Sequence, residues 1–135
     1  MQRLNLDKSG KIEYWLDIAQ YDMDTARTMY ENGRYLYAVF MCQQATEKIL
    51  KANYIQLFNK EAPMTHNIIY LASLLDLNLS PEQTETAATL TTYYIEGRYP
   101  SYKKKLSMLV DNNKSYTLLK QTEAFFLWLK SLLQS

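Results

Sequence analysis

Apolar residues recur at steps of three and four along most of this chain, which is the period of an amphipathic α-helix. The pattern predicts one helix over residues 12–31 and a second helix over residues 34–58. Between them, Asn32 and Gly33 are residue types that tolerate the positive φ at which helices commonly end. We therefore expect the first two helices to form a tight antiparallel hairpin.

Three further helices are predicted in the second half of the chain. A short helix opens at His66, in the sequence H-N-I-I-Y-L. The fourth helix begins at residues 80–83, where Ser-Pro-Glu-Gln combines an N-cap, a proline at the first helical position and a glutamine three residues after the serine, as in a capping box. It should end near Gly97, because Pro100 disfavours helix in the residue before it.

A basic loop is predicted over residues 101–114, with room for one helical turn in its middle, and Ser115 is predicted to cap the last helix. Four long helices joined by short loops favour an all-α fold: an antiparallel up-and-down four-helix bundle with an additional short helix across one end. At 135 residues the chain is expected to be one domain, residues 1–135, with its core at about residues 12–133.

The first half of the second helix, YLYAVFMCQQA, is apolar on nearly every side. Such a helix needs neighbours all round, so it lies either at the centre of the bundle or against a second subunit. Phe40 and Met41 are the candidates for a subunit contact, and we expect a homodimer. The second half is amphipathic, and one polar ridge carries Gln44, Glu47, Lys48 and Lys51.

Charge is nearly balanced, at a formal +1, and so neither requires nor excludes a polyanionic partner. The basic surplus lies in residues 98–135. A lone Cys42 in an apolar run indicates a reducing compartment and a buried packing role. No signal-peptide pattern is present and no stretch approaches the roughly 20 apolar residues that cross a bilayer, so a cytoplasmic location without membrane association is expected.

The shortage of reactive residues excludes most catalytic constellations. With one histidine and one cysteine, a Cys/His zinc site cannot be assembled in one subunit, and a Ser-His-Asp arrangement would depend on His66 without a nucleophile motif. The isolated glycines form no phosphate-binding loop. Asp17 and Asp24 could in principle hold metals, but the Glu-x-x-His partners of such sites are missing. We expect no catalytic residues, no metal and no cofactor.

A cluster of cations and aromatic residues follows the fourth helix: Arg98, Tyr99, Pro100, Tyr102 and the lysines at residues 103–105. An arginine can fork onto phosphate oxygens and a tyrosine offers a π-face, which together suit a phosphate-bearing ligand with a base that stacks. The alternative is a solvated basic loop whose tyrosines plug the end of the bundle. The proline restricts the local backbone and favours a stiff presentation of Arg98.

Three segments stand in a recognisable order: QQATEKILKA at residues 43–52, the lone His66 at the start of a short helix, and YYIEGRYPSY at residues 93–102. Together they resemble the HEPN domain family, over roughly residues 12–133. The resemblance implies a helical bundle that commonly dimerises and that in bacteria is often encoded beside a minimal nucleotidyltransferase, with a nucleotide or RNA as the associated ligand. Carried over to this sequence, the family's elements fall on Glu47, Lys48, Lys51, His66, Arg98, Tyr99 and Pro100.

HEPN ribonucleases typically carry an arginine and a histidine separated by four to six residues. Counted from Arg98, the three places hold Lys103, Lys104 and Lys105, so no histidine is available there. Lysine, with its usual pKa of about 10.4, is a poor general base at neutral pH. The first hypothesis is therefore a non-catalytic module that binds a nucleotide or RNA and acts with a partner protein. The alternatives are an atypical metal-independent ribonuclease toxin that uses His66 or a lysine, and a structural dimer or antitoxin-type binder.

Overall fold

The computed structural model describes residues 7–96 and 99–133. Within these residues the chain forms α-helices and no β-strand, which confirms the all-α prediction. The helices are α1 (Lys8–Glu31), α2 (Tyr35–Phe58), α3 (Ile68–Leu74), α4 (Pro81–Glu96), α5 (Pro100–Leu109) and α6 (Asn112–Ser131). Four of them are long and α3 is the predicted short helix. No helix in the described ranges combines the length and the apolar character that crossing a membrane requires.

The first two helices form the predicted hairpin. Gly33 has φ +77°, a left-handed conformation that costs glycine little, and it reverses the chain between α1 and α2. At the opposite end of the hairpin, the Lys11 ammonium lies 3.1 Å from a carboxylate oxygen of Glu61, just beyond α2. The two helices therefore run antiparallel along their whole lengths.

Helix α2 is the centre of the bundle, because it contacts α1, α3, α4, α5 and α6. Buried residues cover nearly all of its circumference from Leu36 to Ile55. The apolar first half of α2 is thus accounted for largely by neighbours in the same chain. Phe40 and Met41 remain half-buried, and their predicted contact with a second subunit stays a prediction.

Helix α6 runs parallel to α2 and is joined to it by polar contacts at both ends. The Ser115 hydroxyl lies 3.4 Å from the carbonyl oxygen of Tyr35, at the start of α2. The Asn53 amide donates to the carbonyl of Leu129 at 3.2 Å, near the end of α6. The apolar face predicted for this helix packs into the core, where it contributes Leu118, Leu119, Phe125, Phe126 and Leu129. Burying each large side chain stabilises the fold by roughly 1.5–3 kcal/mol.

The core also contains Cys42, as its place in an apolar run predicted. Burial raises the pKa of this thiol to about 12, because the thiolate would be stripped of water. The sulfur is therefore held as a neutral packing group.

The segment expected to be a basic loop is instead helix α5. The prediction was wrong because Pro100 was interpreted only as a stop for α4, whereas a proline is also well suited to the first position of a new helix. Two residues one turn apart, Leu106 and Val110, are buried and attach this segment to the core. Their burial supplies the tertiary stabilisation that a ten-residue basic helix lacks alone.

Helix caps were predicted with mixed success. The capping box of α4 is confirmed: the Ser80 hydroxyl accepts from the Gln83 N–H at 3.0 Å, and the Gln83 side chain accepts from the Ser80 N–H at 2.9 Å. For α6 the prediction was wrong, since Asp111 is the cap and accepts from the Lys114 N–H at 2.9 Å. Ser115 lies one turn further on and is buried.

Candidate functional site

Three of the residues singled out in the sequence come together between α2 and the start of α3. Glu47 and Lys51 are one turn apart on α2 and so share a face, while His66 directly precedes Asn67, the N-cap of α3. We call Gln43, Glu47, Lys51 and His66 the histidine cluster. Gln43 lies one turn before Glu47, on the same face.

The Glu47 carboxylate is the hub of the histidine cluster. One of its oxygens lies 2.9 Å from Nδ1 of His66, and the other lies 3.0 Å from the Lys51 ammonium. Glu47 is only 5% exposed. A carboxylate so far from water is tolerated only where partners replace its hydration. Lys51 and His66 supply those partners.

Lys51 is held inside the fold. Its ammonium lies 5.3 Å from the centroid of the Trp15 ring, on α1, in a cation–π contact. The side chain is almost completely covered. The predicted ligand-binding lysine is thus engaged by a carboxylate and an indole from its own chain.

His66 is fixed from two sides yet remains accessible. The Gln43 amide donates to the His66 carbonyl at 2.7 Å, which holds the backbone, and Glu47 holds Nδ1. The imidazole nevertheless is 61% exposed. Because Nδ1 faces the buried carboxylate, the ring has its Nε2 edge left for contacts outside the cluster. A carboxylate that accepts from Nδ1 also fixes the tautomer in which Nε2 is an acceptor.

A row of aromatic rings extends from the histidine cluster along the start of α2. The Tyr94 ring, on the last turns of α4, lies 6.0 Å from the His66 ring. Tyr94 lies 6.2 Å from Phe40, and Phe40 lies 5.8 Å from Tyr37, both in edge-to-face geometry. We call Tyr37, Phe40 and Tyr94 the aromatic row. It places an aromatic surface beside an oriented imidazole.

Lys48 lies apart from the histidine cluster. Its ammonium pairs with the carboxylate of Asp22 on α1, and both side chains are mostly covered. The polar ridge predicted on α2 is therefore divided, with Lys48 tying α2 to α1 and Glu47 meeting His66. Whether Lys48 and Lys51 also bind a ligand stays a prediction.

The cluster around the R-Y-P turn is described only in part. Arg98 and the side chains of Pro100 and Tyr102 lie outside the described residues. Tyr99 precedes α5 and is exposed, as are Lys104 and Lys105 on that helix. In the sequence, Arg98 comes four residues after Tyr94, the aromatic neighbour of His66.

Among the residues that the structure describes, no group of three or more histidine, cysteine, aspartate or glutamate side chains could hold a metal ion. Asp24, one of the two carboxylates considered for metals, instead lies 3.4 Å from the guanidinium of Arg27. Arg27 also pairs with Glu123 on α6 at 2.6 Å, and hydrogen bonding to Glu123 raises the pKa of Arg27. The pair with Glu123 joins α1 to α6, whereas the pair with Asp24 lies within α1.

Sequence reasoning missed the partners that organise the histidine cluster. It gave His66 no orienting group, although Glu47 lies 19 residues earlier. It also did not single out Tyr94 or Trp15 as neighbours of the cluster. The only available signal was the spacing of four between Glu47 and Lys51, which indicates a shared helix face but not what covers that face.

Comparisons with known proteins agree with the fold. The HEPN domain family model matches residues 12–132. The fold is similar to the crystal structure of TT1696 from Thermus thermophilus, at 23% identity and a TM-score of 0.77, covering 91% of this chain and 98% of that one. It is also similar to ST0689, described as an archaeal HEPN homologue, at 21% identity and a TM-score of 0.73, covering 92% and 98%. A comparison with curated proteins found no match.

The helical bundle and the histidine cluster together define an all-α domain with an oriented surface imidazole. The chain belongs to the HEPN domain family.

Proposed function

We propose that this protein is a nucleotide- or RNA-associated binding module that acts with a partner protein, such as a minimal nucleotidyltransferase, and that it has no catalytic role of its own. The observation that carries the proposal is the His66 imidazole, held by buried Glu47 and presented beside the Tyr94 ring at the end of α4. An oriented imidazole next to an aromatic ring suits a ligand with a hydrogen-bonding group and a stacking base.

The sequence adds cations at the same end of α4. Arg98 follows Tyr94 by four residues and is proposed to bind a phosphate, together with Tyr99, Pro100 and Tyr102 of the R-Y-P segment. Lys105, exposed on α5, raises the local positive potential. Lys48 and Lys51 are proposed to contribute less directly, since each is paired with a carboxylate.

Binding is tested by fluorescence anisotropy with a labelled oligouridylate of roughly ten nucleotides, within the usual site size for single strands. Arg98→Ala is expected to weaken binding about tenfold or more, the effect of losing one charge-assisted hydrogen bond. His66→Ala is expected to weaken binding roughly fivefold, the effect of losing one neutral hydrogen bond. Lys60→Ala, which removes an exposed cation beyond the end of α2, is the matched control. The proposed site is rejected if the unaltered protein binds the oligouridylate and neither variant weakens that binding more than the control does.

The partner is tested separately. Where the neighbouring reading frame encodes a minimal nucleotidyltransferase, its product is expected to co-purify with this chain. If such a nucleotidyltransferase elutes separately from this chain in size-exclusion chromatography, the third hypothesis, a structural dimer, is favoured.

A second function is favoured by one contact, the pairing of Glu47 with Nδ1 of His66. A carboxylate that orients an imidazole leaves Nε2 able to accept a proton, as in other carboxylate–histidine pairs. In RNA cleavage, Nε2 would take the proton of a ribose 2′-hydroxyl. The 2′-oxygen would attack the phosphorus, the bond to the 5′-oxygen would break, and a proton would return to that 5′-oxygen.

This alternative is tested with RNA in the presence of a metal chelator. A ribonuclease of this kind would yield 2′,3′-cyclic phosphate ends, and both His66→Asn and Arg98→Ala would lose that activity. If RNA stays intact after prolonged incubation with the unaltered protein, the ribonuclease alternative is rejected and the binding module is retained.

A further inference from the structure

A separate cleft lies between the first turn of α2 and helix α5, on residues that the proposed function does not use. Its volume is about 470 Å³, within the usual range for small-ligand sites. Leu36 and Val110, both buried, line its apolar side. Its polar lining residues are Tyr35 and Ser107, and its charged lining residues are Arg34 and Lys104.

The charges of this cleft are unbalanced. Arg34 and Lys104 come from positions 70 residues apart in the sequence, and both are exposed. Neither forms an ion pair within the described part of the chain, and none of the described residues that line the cleft is acidic. In contrast, Lys48 and Lys51 are each neutralised by a carboxylate.

The aromatic wall of the cleft is held in place by its neighbours. The Tyr35 hydroxyl accepts from the Asn112 amide at 3.1 Å, and the Tyr35 ring lies 5.7 Å from the Tyr30 ring. The Ser107 hydroxyl donates to the Lys104 carbonyl at 2.7 Å, which leaves its oxygen able to accept. The cleft thus combines two cations with fixed polar and aromatic groups.

We propose that this cleft is a second phosphate-binding site, in which Arg34 and Lys104 hold the phosphate of a nucleotide or of a polynucleotide chain. Arginine grips phosphate oxygens in a bidentate manner and lysine adds a point charge, so two cations across one cleft suit a phosphate group. The polar and apolar walls leave room for the sugar or base attached to that phosphate.

The site is tested with the double variant Arg34→Gln/Lys104→Gln. The matched control is Lys114→Gln/Lys130→Gln, which removes the same net charge from exposed positions of α6. Isothermal titration calorimetry with AMP and with an oligouridylate of roughly ten nucleotides distinguishes a free nucleotide from a polynucleotide backbone. Matching thermal denaturation curves establish that both double variants are folded.

We expect the Arg34/Lys104 variant to bind at least tenfold more weakly than the control, for whichever probe the unaltered protein binds. For the oligouridylate, the slope of log affinity against log salt should also become shallower by roughly 0.7, the contribution of one phosphate contact on a single strand. Equal affinities and equal salt slopes for the two double variants would overturn the proposal, as would the absence of binding to either probe. Because His66 and Arg98 are unchanged in these variants, a failure here is distinct from a failure of the histidine cluster.

Discussion

Glu47 illustrates how one residue connects folding with a surface site. Its carboxylate lies at the boundary of the core, where neighbouring elements cover α2. One carboxylate oxygen bonds to Lys51 and the other to His66. A buried ion pair adds little net stability compared with apolar residues, yet removing one partner leaves the other charge buried alone. The same carboxylate orients the exposed imidazole.

We predict that Glu47→Gln lowers the free energy of unfolding by about 3–5 kcal/mol, because the Lys51 ammonium then lacks a counter-charge in a covered position. The measurement is urea denaturation at neutral pH. The control is Glu61→Gln, whose pair with Lys11 is exposed and should be worth less than about 1 kcal/mol.

The double variant Glu47→Gln/Lys51→Met gives the matching test, since it removes both charges. It should recover much of the stability that Glu47→Gln loses. If the single and double variants are equally unstable, the pairing of Glu47 with Lys51 does not explain the loss.

At the scale of elements, the caps decide where helices begin. Helix α6 begins after Asp111, whose carboxylate accepts from the Lys114 N–H, and not at Ser115. Both residue types are good N-caps, so local preference alone could not choose between them. Burial of Ser115 against the start of α2 places it inside the helix.

We predict that Asp111→Ala lowers the free energy of unfolding by about 1 kcal/mol, the usual effect of removing an N-cap. Asn113→Ala, an exposed neighbour within the first turn of α6, should change it by less than about 0.5 kcal/mol. Chemical denaturation measures both. Equal effects of the two substitutions would argue against a cap at Asp111.

At the scale of the whole molecule, α2 has neighbours on most sides and yet leaves Phe40 and Met41 half-buried. Phe40 also belongs to the aromatic row, beside Tyr94. A second subunit placed here would cover apolar surface and would approach the histidine cluster.

We predict that the protein sediments as a dimer at micromolar concentration and that Met41→Lys shifts it to the monomer, because a charge would be buried at the contact. Analytical ultracentrifugation measures both species. Leu127→Lys, at an exposed position of α6, should leave the dimer intact. If the unaltered protein sediments as a monomer at this concentration, the prediction is wrong.

The amino-acid sequence alone determined those helices whose signals lie in neighbouring residues. The period of apolar residues, the Gly33 turn and the capping box at Ser80 depend on contacts within about four positions, which a sequence displays directly. The family resemblance similarly depended on local segments such as the one around Glu47.

Contacts between residues that are far apart in the chain could be seen only in the folded structure. The pairing of Glu47 with His66 and the placement of Arg34 and Lys104 along one cleft depend on how helices pack. Helix α5 likewise forms where a loop was expected, because Leu106 is buried against the bundle. The free energy from local helix propensity is small compared with that from burying an apolar side chain. Packing therefore determines the helix boundaries that the sequence leaves open and the residues that form each site.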